Sequence, residues 1–575
     1  MYRTVSVGFL LSVSLLLFLP FLGSAAQDET RLDQNDSHRI RTIEGPINEI
    51  KFPLSSRPAI VQQGCPFQIK VDLSSLDEEL LNAGCWNVTL STAYDEYVES
   101  YILPVSSIEV KGGLFNLEAM VPKEGSIDLY NLTVAVTREG ETIEDSQPRA
   151  VSVVSKIKDS FTFIQVTDPH CWDIRTMLVS PGKTFGEKWE NFTKSEAYNE
   201  TIREVNLIHP DFVLLTGDFI GGPFPINIPS LKSLEDQYKT AYDLLQRFDV
   251  PAYLIPGNHD GYFSLSADGL KLYEKYFGEL FYSFDYNDAH FVMLNSYDWP
   301  YLRRSFINAG GKIGEDQLEW FEENLESAQK AGTVFVCLHH DSLEEGLHGF
   351  RGKDPFFDLI DRSNVTMVLA GHVHKDSERA INDTVFLTTT SCATTLSYDR
   401  HLRILGEVLN YLTLSFPREE PNPLKYDQYW GFRQVKVKDN GIESYAYGEG
   451  GRSIPTYRLS ANYSEGREKA LIKSELENPL EVKVELHTED ENYRIIGGEM
   501  LWEREVDGVK ILTCRVEVPP NEQVEVEVVE VAPMPKPVPL TLYRVILLSS
   551  IAIVLLVYYL LKVRKRRMEG KKRES

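Results

Sequence analysis

The chain has 575 residues, 42% of them hydrophobic and 25% charged, with a formal net charge of -26 at pH 7. That is too long for one hydrophobic core, so several domains are expected, and the composition excludes wholesale disorder. The acidic balance argues against a nucleic-acid partner.

Residues 1–26 read as a secretory signal peptide: Arg3, an apolar run over 9–21, then the small residues Gly23, Ser24, Ala25 and Ala26 for cleavage. A retained membrane helix is the alternative, but the run is short for one. Residues 27–46 are a polar, flexible lead-in. Over 47–157, runs such as 67–71 and 130–136 alternate apolar and polar side chains between turn residues, which predicts a half-buried antiparallel sheet and an N-terminal β-sandwich of immunoglobulin-like type. Cys65 and Cys85, with 19 residues between them, are the candidate disulfide. Cys171, Cys337, Cys392 and Cys514 are expected as small buried hydrophobes.

The pattern changes at residue 158. Strand-length apolar runs at Phe161–Val166, Phe212–Thr216, Ala252–Ile255, 291–295, 334–338 and Met367–Ala370 alternate with helical stretches. One helix is expected over 315–331, with Leu318, Phe321, Leu325 and Ala328 on one face and Gly332 as its stop. Such alternation predicts an α/β core, running to residue 457. Alternation at 480–486 and 524–529 predicts a C-terminal β-sandwich over 461–531. Residues 532–539 are a stiff Pro-rich spacer.

Residues 540–561 reach the ~20 residues needed to span a bilayer, with Tyr543, Tyr558 and Tyr559 near the interfaces. Residues 562–575 hold eight Lys/Arg and two Glu, and such a basic tail stays in the cytoplasm. The expected arrangement is therefore a single-pass membrane protein with its bulk outside the cytoplasm. Eight Asn-X-Ser/Thr sequons (Asn35, Asn87, Asn131, Asn191, Asn199, Asn364, Asn382, Asn462) agree with an exported glycoprotein.

Five apolar strands of the central domain lead into metal-ligating residue types. They are Asp168-Pro169-His170, Gly217-Asp218, Gly257-Asn258-His259-Asp260, His339-His340-Asp341 and Gly371-His372-Val373-His374. Ligand sites in open α/β sheets lie outside the carboxyl ends of the strands, so five segments are expected to converge on one crevice. Imidazole suits Zn and Fe, while carboxylate and carbonyl suit harder ions such as Mn. Two ions need a bridging group, and Asp218, isolated at its own strand end, is the natural one. Each motif is common alone; their order and their shared place after buried strands carry the signal.

This ordered set resembles the signature of the calcineurin-like metallophosphoesterases over roughly residues 160–457, about half of the chain. The resemblance implies a central α/β four-layer domain, a β-sandwich core flanked by helices, with two divalent metal ions (Mn, Zn or Fe) at one edge. One ion would take Asp168, His170, Asp218 and His374, and the other Asp218, Asn258, His339 and His372. The family pattern puts the ligand directly after the strand, which selects His339 over His340. His259 would act as acid or charge stabiliser, with Asp260 orienting its ring. Gly221 stands where purple acid phosphatases carry a metal-binding Tyr, which sets that subgroup aside. Asp341 stands where many relatives have Pro.

The implied activity is hydrolysis of phosphate mono- or diesters by a hydroxide that two metals activate, on the outer face of a membrane. The substrate would be a phosphorylated small molecule or lipid. The rival reading is a cell-surface binding or adhesion protein with an inert phosphoesterase scaffold. In either case the β domains are open to a surface protein or glycan partner.

Overall fold

A strand covered on both faces carries a continuous apolar run rather than an alternating one, and the central runs follow that rule. The computed structural model describes residues 45–73, 78–92, 99–138, 140–171, 194–222, 231–264, 267–304, 308–346, 349–393, 430–448, 451–506, 508–531 and 540–571. The central strands are Phe161–Val166 (β1), Phe212–Thr216 (β2), Ala252–Ile255 (β3), Tyr282–Tyr286 (β4), Ala289–Met293 (β5), Thr333–Cys337 (β6), Met367–Ala370 (β7), Ser377–Ile381 (β8), Thr384–Thr388 (β9), Gly431–Lys438 (β10) and Gly441–Ser444 (β11). The helices beside them are Lys194–Ile208 (α1), Leu231–Leu245 (α2), Gly269–Phe277 (α3), Glu315–Ser327 (α4) and Asp354–Arg362 (α5).

One sheet has the order β3-β2-β1-β10-β11, and the other β4-β5-β6-β7-β9-β8. Strands β1, β2 and β3 are mutually parallel, as are β5, β6, β7 and β9. Strand β10 returns antiparallel along β1. The two sheets bury a common aromatic core between them, where the Phe163 ring lies 5.2 Å from Phe335 and 5.5 Å from Phe291. Behind the first sheet, Val205, Tyr238 and Tyr273 of α1, α2 and α3 pack with Val213 and Leu215. Behind the second, Phe321 of α4 and Phe356 of α5 pack with Val334 and Val336.

Four of the expected runs coincide with strands, whereas those at 291–295 and 334–338 are drawn back to Ala289–Met293 and Thr333–Cys337. Past those ends the chain turns toward the crevice, and the next amides, of Leu294 and Leu338, reach sideways to Cys337 O and Leu369 O. The helix expected over 315–331 stops at Ser327. The Ala328 amide is shared between the Asn324 and Leu325 carbonyls, and a turn finishes the segment before Gly332.

Residues 50–154 form two sheets. One has the order Ile50–Phe52, Pro66–Val71, Leu114–Met120, Val105–Lys111. The other has the order Ala59–Gln62, Glu141–Val154, Asp128–Arg138, Trp86–Thr92, Ser100–Leu103. The pairing is antiparallel as expected except that Ala59–Gln62 runs parallel to Glu141–Val154. The expected Cys65–Cys85 bridge is not formed. Both residues are half-buried and pack against the apolar core of this region, as small hydrophobes do. The Asn131 sequon is closed to a glycan, because its side chain is buried and its Oδ1 accepts the Arg149 amide.

Residues 459–530 form a four-stranded and a three-stranded antiparallel sheet. The last helix, Leu540–Lys571 (α6), contains the span Arg544–Met568, in which an 18-residue window has a mean hydropathy of 2.4 and none of its residues buried, long and apolar enough to cross a membrane. It continues through most of the basic stretch expected as a tail, whose Lys and Arg are good helix formers. The stretches expected as signal peptide, as lead-in up to residue 44 and as spacer at 532–539, with the sequons at Asn35 and Asn191, lie outside the described residues.

Candidate metal centre

Strands β1, β2, β3, β6 and β7 deliver their carboxyl ends to one edge of the paired sheets, and the five motifs follow them. The backbone there is unusual. Asp168 (φ 55°), His170 (φ 44°), Asp218 (φ 58°), His372 (φ 71°) and His374 (φ 54°) are all left-handed. Asp and His tolerate that region better than most residues, yet it costs about 1–3 kcal/mol each and persists only where the surroundings enforce it. Glycines make the close approach possible. A Cβ on Gly257 would lie 2.2 Å from Asp218 Oδ1, and one on Gly371 would lie 2.0 Å from Thr167 Oγ1.

Each buried carboxylate is split between backbone and imidazole. Asp168 Oδ2 accepts from the His372 amide (3.0 Å) and Thr167 Oγ1 (2.7 Å). Its Oδ1 faces the Nε2 atoms of His374 (3.1 Å), His170 (3.7 Å) and His339 (4.0 Å). Asp218 Oδ1 accepts from the His259 amide (2.8 Å), while Oδ2 faces Nε2 of His339 (3.2 Å), His170 (3.6 Å) and His259 (4.0 Å). Asn258 Oδ1 lies 3.0 Å from His339 Nε2, and its Nδ2 donates to Tyr262 Oη at 2.6 Å. His372 converges with Asp218 and His339.

The donors fit divalent ions. Two ligands each ~2.1 Å from one ion and set at tetrahedral or octahedral angles are themselves ~3.0–3.4 Å apart. The Nε2 atoms of His170 and His374 lie 3.3 Å apart, a contact that a shared cation explains better than a hydrogen bond. His339 Nδ1 donates to Thr216 O at 2.8 Å, and His259 Nδ1 donates to Gly221 O at 2.7 Å. Both bonds place a proton on Nδ1, and at His339 this leaves the Nε2 lone pair turned inward, as a metal-ligating imidazole requires.

The electrostatics follow from this crowding. Burial works against ionisation of Asp168, but His374 and His339 hold its carboxyl well below the usual range. Burial likewise opposes ionisation of Asp218, and His339 and His259 pull it down. Burial would lower His339, yet Asp218 and Asp168 raise it to about 9. Burial holds His340 down to about 3 and His372 well below its ordinary value.

All nine residues expected at the site are brought together, with one difference in role. Asp260 does not orient the His259 ring. Its carboxylate accepts the amides of Asp218 (2.8 Å), Gly257 (2.8 Å) and Ile220 (3.2 Å), and so ties the Asp218 turn to the Asn258 turn. Burial, then the charge of Asp218, push it up to about 8. The ring is held by the Gly221 carbonyl, a backbone partner that no side-chain pattern announces. Of the adjacent histidines, His339 points into the cluster. His340 is turned away, between Ser296 Oγ (2.8 Å) and Ala309 O (2.9 Å), because successive side chains on an extended segment face opposite ways. Sequence reasoning also missed the buried polar braces Gln165, Thr167, Thr389 and Ser391, which resemble ordinary strand and loop residues.

A crevice at parallel strand ends, lined by paired carboxylates and inward-facing imidazoles, defines a metal-dependent hydrolase of phosphoric esters. Residues 161–376 match the calcineurin-like phosphoesterase family. A probable glycerophosphodiester phosphodiesterase of Arcobacter nitrofigilis is 26% identical over 243 residues, 40% of this chain and 77% of the relative. The serine/threonine-protein phosphatase CPPED1 of Rattus norvegicus is 22% identical over 43% of this chain and 80% of its own. The 3',5'-cyclic adenosine monophosphate phosphodiesterase CpdA of Haemophilus influenzae is 21% identical over 38% of this chain and 72% of its own.

Proposed function

We propose that the chain binds two divalent ions, one by Asp168, His170, Asp218 and His374 and one by Asp218, Asn258, His339 and His372, and hydrolyses phosphate mono- or diesters on the outer face of a membrane. The observation that carries this reading is the division of each carboxylate, one oxygen fixed by backbone amides and the other facing three imidazole nitrogens. Bound there, divalent ions supply Lewis acidity and a nucleophile at neutral pH.

The chain's own residues do the rest. Asp168 and Asp218 hold the ligand rings in register, and Asp260 locks the turns that carry Asp218 and Asn258. His259 is one-third exposed, more than the other rings of the cluster, so it faces an arriving substrate. With Nδ1–H fixed on Gly221 O, the ring in its imidazolium form gives its Nε2 proton to the departing ester oxygen and is left neutral. Relatives that include diesterases and a phosphatase support keeping both ester classes.

Helices behind both sheets support a four-layer α/β domain over 158–457. The paired sheets on either side support immunoglobulin-like sandwiches at 47–157 and 461–531. The apolar run at 9–21 supports a signal peptide. Helix α6 with its following Lys/Arg cluster supports an anchor with the bulk outside.

The test uses full-length protein in detergent, reconstituted with Mn²⁺, Zn²⁺ or Fe²⁺, beside Asp218→Asn. The native chain is expected to hold about two ions and to hydrolyse ester probes, and the variant to lose at least ~10²-fold in rate. A native chain that takes up no ion, or a variant with native activity, refutes the reading.

A further inference from the structure

The metal-ligand turns are strained, and something must enforce them. Arg433 enters from β10, far along the chain, and is fully buried. Every N–H of its guanidinium is used. Nε donates to Thr389 Oγ1 (2.8 Å). Nη1 donates to Tyr445 O (3.0 Å) and Gly451 O (2.9 Å). Nη2 donates to Asp376 Oδ1 (3.0 Å) and Thr388 O (3.1 Å). A buried guanidinium is retained only where its charge is matched and its donors are satisfied. Asp376 supplies that charge, and its carboxylate also accepts the Thr390 amide (3.2 Å) and the Ser453 amide (2.8 Å).

The segment 388–391 is thus clamped from one side by Arg433 and Asp376. From its other side it grips the metal-ligand turns. Ser391 Oγ donates to the Asp168 carbonyl (2.8 Å), and Thr390 Oγ1 donates to the His374 carbonyl (3.2 Å). Those are two of the left-handed residues, and both belong to the same ion subsite. The other subsite is braced elsewhere, by Asp260 and by Thr216 O.

We propose that Arg433 and Asp376 are positioning residues that act through Thr390 and Ser391 to hold Asp168 and His374 in ligating geometry, so that they set the affinity of one of the two ions. This rests on the two-ion reading above. Neither residue belongs to the convergent groups themselves.

The experiment titrates Mn²⁺ into metal-free, full-length protein in detergent and follows binding by calorimetry, for native protein, Asp376→Asn, Arg433→Lys, Thr390→Val and Ser391→Ala. Loss of an outer partner of a ligand weakens a metal about 10–100-fold. The expected result is that one ion weakens by that factor while the second is held as in native protein. The metal concentration for half-maximal activity should rise in step, with kcat recovered at saturating Mn²⁺. Circular dichroism reports the fold. If Arg433→Lys or Asp376→Asn does not fold, Thr390→Val and Ser391→Ala decide, because both leave the Arg433–Asp376 pair intact. Native affinity for both ions in the folded variants overturns the inference, as does equal weakening of both. A native chain that binds no ion removes the two-ion reading, and this inference falls with it.

Discussion

Substituting Gly371 by Ala tests how tightly the centre is packed. Gly371 has no left-handed φ, so alanine meets no backbone penalty and only space is at issue. Its Cβ would lie 2.0 Å from Thr167 Oγ1 and 2.6 Å from Asp168 Oδ2, whereas ordinary contact begins near 3.4 Å. Both neighbours are buried, and Thr167 Oγ1 is held by Asp168 Oδ2 and Thr216 O, so neither retreats without breaking a bond that shapes the site. Overpacking of this kind costs about 1–3 kcal/mol. The shift needed is over 1 Å, and misplacement of about 1 Å lowers a rate by about 10²-fold. Gly371→Ala is therefore expected to remain folded, with a lowered unfolding temperature, a rate reduced by about 10²-fold and weaker binding of the ion held by Asp168. Gly441→Ala, whose Cβ would meet only Lys438 O at 3.7 Å, is the matched control. A Gly371→Ala protein within about twofold of native activity and metal affinity would refute the packing argument.

Further outcomes follow from other parts of the structure. His259→Asn is expected to keep both ions but to lose about 10²–10⁴-fold on esters with poorly acidic leaving groups, and much less on aryl esters; equal losses on both would remove its role as a proton donor. Glu204 of α1 is buried and accepts the Arg458 and Leu459 amides at 2.7 Å each, and burial pushes its carboxyl from 4.5 up to about 8. Its protonated form is favoured in the fold, so its contribution is complete below pH 4.5 and lost as the pH rises toward 8, with a ceiling of about 5 kcal/mol at ~1.4 kcal/mol per pH unit. Denaturant midpoints of native protein and Glu204→Gln should diverge between pH 5 and 8.5, with the variant gaining; parallel curves would show that Glu204 is ionised in the fold. The Arg504–Asp128 ion pair joins the two flanking β regions with both side chains under a tenth exposed. Arg504→Met should cost about 3–5 kcal/mol in chemical unfolding and the double variant with Asp128→Leu distinctly less, whereas equal costs would mean that the pair is worth no more than its packing.

The central domain was legible because buried parallel strands announce themselves as continuous apolar runs, and because five of the six runs lead into metal-ligating residue types. Four strands match residue for residue. Those at 291–295 and 334–338 slid because their apolar character continues past the last ladder bond into the residues that turn toward the crevice. The convergence of these residues was legible for a similar reason, since strand ends on one edge leave few other places for Asp, Asn and His to go. Conformation was not: nothing in Asp168, His170 or His374 as letters says that their backbones are left-handed. Partners on the main chain were equally hidden. Gly221 O holds His259, and the amides of Asp218, Gly257 and Ile220 occupy Asp260, so a side-chain partnership drawn from neighbouring residues misassigned Asp260. The Cys65–Cys85 expectation rested on spacing alone, and spacing within one region does not place two side chains side by side.

The N-terminal region has a further reason to be where it is. Strands β3 and β4 are the edges of their sheets, and an open edge is a hazard that folds usually cover. Ser56 O accepts the Leu254 amide of β3 at 3.0 Å and the Tyr282 hydroxyl of β4 at 3.4 Å, and Pro58 O accepts the Tyr253 hydroxyl at 3.0 Å. One loop of the first β region therefore pairs an edge amide of β3 and holds a tyrosine side chain of each strand. Strand β3 leads directly into Gly257-Asn258-His259, so the same contacts steady the segment that carries Asn258 and His259 into the crevice. On the opposite side Glu204 fixes the start of the last β region to α1, and Lys483 Nζ donates to His209 O at 2.8 Å just beyond that helix. The flanking regions thus grip the catalytic sheets from behind and along their edges, leaving the carboxyl ends of the strands to the substrate.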